Sequence, residues 1–182
     1  MLVRELMTEE VISCTPWDTA QAAASLMKKH GVGAIPVVTE LSDPLLEGII
    51  TDRDLCCVVV ANARNADDIH VSDVMTTVPV TCEPEYTIEE CRELMQENQV
   101  RRIPVVNKRG RCVGILSQAD LALRVPAGQV ATMLKEISKP SKPNGGFHFE
   151  RDYFYCGQLH EQDEILLLNR RRELHKEVEA AR

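Results

Sequence analysis

The sequence predicts an α+β fold: two βαββα repeats packed sheet to sheet, followed by a C-terminal tail with a helix. Three observations lead there. First, laying Val3 on Val71 also superposes Met7 on Met75, Thr8 on Thr76, Cys14 on Cys82, Pro16 on Pro84 and Met27 on Met95, a constant shift of 68. A fixed internal period marks a duplicated unit. The shift falls to 66 at Gly48 and Gly114, which places a two-residue insertion in "TELSDPLLEG". Second, each copy runs through strand-type, helix-type, strand-type, strand-type and helix-type apolar spacing in that order. Third, a chain of 182 residues with 44% hydrophobic and 27% charged content can bury a core, whereas one unit of about 55 residues buries too little surface to be stable alone. Two copies are therefore expected to share a core.

The elements follow in order. Residues 11–14 and 78–82 are short β-type runs closed by X-Pro steps, which turn the preceding residue away from helix. Residues 18–30 place Ala20, Ala23, Ala24 and Met27 on one helical face and stop at Gly31; residues 87–97 do the same with Ile88, Cys91, Leu94 and Met95. Residues 34–38 and 102–106 are strands rich in β-branched side chains. Each leads through a polar turn to a second strand, 47–50 and 111–116, and a closing helix begins at Thr51 and at Ser117. The expected organisation is repeat 1 over 1–60, a polar linker "ANARNADDIH" over 61–70, repeat 2 with a following helix over 71–138, and a linker and tail over 139–182.

Composition narrows the function. A net charge of −7 and a pI near 5.3 argue against a nucleic-acid partner, because that affinity comes from a basic surface releasing counterions. No run approaches the ~18 apolar residues of a membrane span, and the amino terminus lacks a leader pattern, so a cytoplasmic protein is expected. The seven cysteines lie mostly in apolar runs at spacings that match no zinc signature, so reduced core thiols are expected. His148, Cys156 and His160 fall short of a structural metal set. No Ser-His-Asp order, phosphate loop or clustered carboxylates suggest catalysis, and the chain is expected not to be an enzyme.

The most informative stretch is "GIITDRD", Gly48 to Asp54, matched by "GILSQAD", Gly114 to Asp120. A hydroxyl at the start of a helix stands beside unpaired N–H groups and the positive end of the helix dipole, which favours phosphate. Three residues on, Asp54 and Asp120 share a face with that hydroxyl, and a carboxylate's two oxygens can accept from both hydroxyls of a ribose diol. Thr-x-x-Asp and Ser-x-x-Asp are also capping boxes, which need no ligand. The two roles are compatible, with the cap holding the carboxylate in position.

Together with "ELMT" and "DVMT", and with "GVGAIPVV" and "QVRRIPVV", these motifs resemble a tandem CBS domain pair, the regulatory module named after cystathionine β-synthase. The resemblance covers about residues 1 to 124. It implies that the two βαββα repeats pair with pseudo-twofold symmetry, leaving two clefts between the sheets, and it implies frequent homodimers, regulation in place of catalysis, and an adenosine-type ligand such as AMP, ADP, ATP, S-adenosylmethionine or NAD. It further implies that each cleft takes its hydroxyl and Asp from one repeat and its wall from the other. The cleft of repeat 2 would then combine Ile115, Ser117 and Asp120 with Thr15, Ala20, Val32 and Gly33, and with Arg101 and Arg102, whose adjacent guanidiniums suit a di- or triphosphate. The cleft of repeat 1 would use Ile49, Thr51, Arg53 and Asp54, walled by Glu83, Ile88 and Val100. There Gly33 and Ala34 replace the arginine pair and Glu83 opposes a polyphosphate, so weaker binding, or a preference for a less charged adenosine ligand, is expected.

Beyond the repeats, residues 127–138 read as one amphipathic helix and "KPSKPNGG" as a linker. Phe147, Phe149, Tyr153, Phe154 and Tyr155 then cluster ahead of a charged helix. Clustered aromatics are enriched where proteins meet, which points to docking on a dimer mate or target; a loosely held terminus is the competing reading. The expected function is a regulatory ligand-sensing module that signals to a partner by conformational shift. The alternative is a ligand-free interaction scaffold that docks through its tail.

Overall fold

The computed structural model describes residues 1–124, Ala131 and Lys135. Of the expected helix over 127–138 only Ala131 and Lys135 are described, both helical; the rest of it, the linker and aromatic tail over 139–182, and the trio His148, Cys156 and His160 lie outside the described residues.

Each repeat is built on a helix and an antiparallel hairpin. In the first, α1 (Ala20–His30) is capped by Thr19, whose hydroxyl accepts from the N–H of Ala22. It ends at Gly31 in the left-handed region, φ 65°, a conformation that costs glycine nothing. Strand β1 (Ala34–Val38) pairs with β2 (Leu46–Thr51), and α2 (Asp52–Asp54) continues as a π-helical turn over Leu55–Val60. After two 3₁₀ turns, Ala66–Asp68 and Val71–Asp73, comes the short strand β3 (Thr76–Thr77). The second copy has α3 (Ile88–Glu97), the hairpin β4 (Arg102–Val106) and β5 (Cys112–Ser117), and α4 (Gln118–Arg124). Both hairpins carry an irregularity at the same place, between Val37 and Val38 and between Val105 and Val106.

The runs expected as the first strand of each repeat shrink to single parallel bridges, Cys14 with Val37 and Cys82 with Val105. Cys14 donates to Pro36 O at 3.2 Å and accepts from Val38 N at 2.9 Å, after which Pro16 turns the chain into α1. Proline two residues on leaves no room for a longer ladder.

What the sequence pattern did not reveal is an exchange of leading segments. Val3 donates to Tyr86 O at 2.8 Å and Arg4 to Pro84 O at 3.1 Å; in the other half Val71 donates to Asp18 O at 2.8 Å and Ser72 to Pro16 O at 3.0 Å. Val3, fully buried, belongs to the core of Cys82, Ile88, Cys91, Met95, Ile103 and Leu116, with Leu6 and Met7 packed against it. Val71, Val74 and Ile69 complete the core of Ala20, Ala23, Ile35 and Ile50. The segment over 61–70, read as polar, thus ends in a buried anchor: Ile69 is 2% exposed.

The exchange explains the repeated methionine and glycine. Thr8 exchanges backbone bonds with Ile115, 3.0 Å each way, and β3 pairs with Gly48 and Ile49. Met7 therefore crosses Gly114 and Met75 crosses Gly48. A Cβ on Gly48 would stand 2.8 Å from Thr76 O and 2.9 Å from Met75 Sδ; on Gly114 it would meet Met7 Sδ at 2.5 Å but backbone only at 3.2 Å. A thioether can swing aside, and a paired carbonyl cannot without breaking its strand. Gly48→Ala is accordingly expected to cost about 1–3 kcal/mol and Gly114→Ala less, an order that thermal melting of the two variants checks.

Candidate functional site

Three stretches of chain meet at a concavity of about 220 Å³. The leading segment of repeat 1 supplies Thr8, Glu10, Val11 and Ile12. The turn from α1 into β1 supplies Gly31, Val32, Gly33 and Ala34, with Pro36 further along the strand. Repeat 2 supplies Arg102 at the start of β4, Ile115 and Ser117 on β5, and Asp120 on α4. Exchange of the leading segments brings these together, because pairing of Thr8 with Ile115 ties the leading segment of repeat 1 to β5.

Local chemistry fixes the carboxylate. Asp120 Oδ2 accepts from Ser117 N at 2.8 Å and from Ser117 Oγ at 2.7 Å, while Asp120 N donates to Ser117 Oγ at 3.3 Å. Thr51 and Asp54 repeat this at 2.8, 2.7 and 3.2 Å. The hydroxyl proton is thus spent on the carboxylate, and Asp120 Oδ1 takes no part in the box. Capping geometry alone does not mark a ligand site, because Thr87 and Glu90 make the same box at 2.8, 2.8 and 3.2 Å on an exposed helix start. The difference lies in the surroundings: Ser117 and Asp120 are half-buried and face a concavity.

Of the residues expected in the cleft of repeat 2, Val32, Gly33, Arg102, Ile115, Ser117 and Asp120 line one concavity. Thr15, Ala20 and Arg101 are not among its lining residues. Thr15 closes its own turn, its N–H and hydroxyl both donating to Asp18 Oδ2 at 2.7 and 3.0 Å. Ala20 is fully buried in the repeat 1 core, so no ligand can reach it there. Arg101 is exposed and contributes its carbonyl to Gln118 N at 2.9 Å. Sequence reasoning missed Glu10, Val11 and Ile12 along with Thr8; the repeated Met-Thr pair flagged their segment, but not its destination on the other repeat.

In the cleft expected for repeat 1, Ile49, Thr51, Arg53 and Asp54 stand together where β2 passes into α2. Ile49 faces Thr76 in register, and Glu83 and Val100 are half-buried. Ile88, 3% exposed, is a core residue of repeat 2 and not a free wall.

A second depression, about 310 Å³, is basic, with Lys108, Arg109 and Arg111. Two of its charges are already engaged: Arg111 Nε lies 2.6 Å from Asp43, and Glu85 lies 3.8 Å from Arg4. Among the described residues no three His, Cys, Asp or Glu side chains group as metal ligands, and no helix is long and apolar enough to cross a membrane. Cys14, Cys82, Cys91 and Cys112 are buried free thiols; burial, helped by Asp18, pushes Cys14 up to about 12, and burial pushes Cys112 up to about 11.

The family model of the CBS domain matches twice, at residues 3–61 and 71–127. The chain belongs to the CBS domain family. Among curated relatives, the CBS domain-containing protein YhcV of Bacillus subtilis is 40% identical over 129 residues, 71% of this chain and 89% of that one. Two solved CBS structures share the fold. The CBS domain protein PAE2072 from Pyrobaculum aerophilum, complexed with AMP, superposes with a TM-score of 0.63 at 22% identity, covering 74% of this chain and 99% of that one. The CBS domain pair of protein MJ0100, in complex with 5′-methylthioadenosine and S-adenosyl-L-methionine, gives 0.60 at 23%, covering 68% and 98%.

In this CBS pair the exposed box at α3 offers a control for the boxes at the clefts. The Thr87 N–H and hydroxyl hold the Glu90 carboxyl below its ordinary 4.5. A depressed folded-state value means that the stabilisation is present above about pH 4.5 and is lost as pH falls through the lowered value. Wild type and Glu90→Gln should therefore differ in melting temperature at pH 7 and converge under acid, with the gap shrinking at high salt.

Proposed function

We propose that this CBS pair is a cytoplasmic regulatory module, without catalytic activity of its own, that binds an adenosine nucleotide or adenosyl compound between its repeats. The observation that carries this reading is the concavity whose walls come from both repeats, with a free guanidinium and a pre-positioned carboxylate: among the described residues Arg102 forms no salt bridge. AMP bound to PAE2072, and methylthioadenosine and S-adenosyl-L-methionine bound to MJ0100, support the ligand class. Asp120 would take the ribose hydroxyls, Arg102 a phosphate, and Val32, Val11 and Ile12 one face of the base. The cleft at Thr51 and Asp54 would be the weaker one.

Because one ligand touches both repeats, it favours the relative placement of repeats that fits it best, and it shifts that population by its differential affinity. A partner that reads the placement then senses occupancy. Two copies would associate through the closing helices, where Val60 is 70% and Leu123 82% exposed. Val60→Glu with Leu123→Glu should halve the mass measured by light scattering; an unchanged mass places the contact elsewhere.

Thermal melting against adenosine, guanosine and nicotinamide compounds tests the ligand reading, since a ligand at 100 Kd adds about 2.7 kcal/mol of stability. An upward shift with adenosine compounds that disappears in Asp120→Ala supports it. No shift with any compound, with the variant merely less stable, favours a ligand-free scaffold.

A further inference from the structure

The charges around the concavity carry the reading one step further, to the class of adenosine ligand; this step rests on the proposed function. Three charged side chains line the concavity, one cation, Arg102, against two anions, Glu10 and Asp120. A third carboxylate stands at its wall. At Gly33 the position a Cβ would occupy lies 2.8 Å from Asp52 Oδ2 and 3.3 Å from Arg102 Nη2, so Asp52 and Arg102 crowd over the same glycine. Arg101, the second guanidinium that a polyphosphate would use, is not among the lining residues. The Glu10 carboxylate makes no hydrogen bond or ion pair among the described residues. It is therefore free to act on whatever enters.

A single phosphate, at about −1.5 to −2 charge near pH 7, can be matched by Arg102. Each further phosphoryl group adds negative charge with no second cation lining the concavity to meet it, and with Glu10 at its edge.

We infer that this cleft selects an adenosine monophosphate over the di- and triphosphates, and that Glu10 is the residue that sets the selection by charge repulsion. The arrangement is particular to one half of the molecule: Val78 occupies the position of Glu10 under the shift of 68.

The test is isothermal titration of the full chain with adenosine, AMP, ADP and ATP, without divalent cations, for wild type, Glu10→Gln and Arg102→Gln. Coulomb repulsion at rim distances in a water-like medium amounts to about a three- to ten-fold preference of wild type for AMP over ATP. Glu10→Gln should narrow that ratio by strengthening ATP while leaving adenosine unchanged, and higher salt should narrow it in wild type. Arg102→Gln should weaken AMP and spare adenosine. ATP binding as tightly as AMP in wild type, an unchanged ratio in Glu10→Gln, or AMP unaffected in Arg102→Gln overturns the selectivity and leaves the adenosine reading standing. If no adenosine compound binds wild type, both fall. Glu10 is exposed, so its variant should melt with wild type and any affinity change reports on the cleft.

Discussion

Everything in this molecule depends on each repeat lending its first residues to the other. Val3 sits in the core of the second repeat and Val71 in that of the first, both fully buried, and matching backbone bonds tie each leading segment to the turn before the other repeat's helix. Units this small cannot bury enough surface alone. The exchange makes the two cores mutually dependent, so unfolding either repeat strips apolar residues from its neighbour. The same crossing requires two glycines, since Met7 and Met75 pass over positions where a side chain would collide with them.

From that exchange follows the cleft. Residues 8–12 belong to repeat 1 by sequence, yet Thr8 pairs with β5 of repeat 2, which frames a concavity between two segments far apart in the chain. Duplication repeats the crossing, where β3 pairs with Gly48 and Ile49 of β2. The copies diverge where charge matters: Arg101 and Arg102 in one repeat stand where Gly33 and Ala34 stand in the other, and Glu10 where Val78 stands. Backbone geometry diverges less. Gly31 and Gln99 occupy the same turn after their helices with φ 65° and 54°, although only the glycine adopts that conformation without steric cost. The scaffold is symmetric, and the chemistry placed on it is not.

A repeated motif is weaker evidence than its surroundings. Thr51 with Asp54, Ser117 with Asp120, and Thr87 with Glu90 form one hydrogen-bonding pattern with distances that agree within 0.1 Å. The pattern is what a helix start needs for its unpaired N–H groups. The Ser117–Asp120 box differs in that its carboxylate is half-buried and lines a concavity, whereas Glu90 is exposed and neither Thr87 nor Glu90 is among the lining residues.

The amino-acid sequence by itself determined the duplication, the order of helices and strands, and the hydroxyl–carboxylate pairs, because these depend on side-chain period and on groups three or four residues apart. It also made Ser117, Asp120, Val32, Gly33 and Arg102 legible as neighbours through the family likeness. Tertiary structure alone decided where the leading segments go, that Glu10 and not Arg101 lines the concavity, that Ala20 and Ile88 are core, and that residues 11–14 and 78–82 make one bridge each where longer strands were expected. These outcomes rest on packing between segments tens of residues apart. Such contacts leave no period in the sequence, since an apolar residue is equally content against its own repeat or the other.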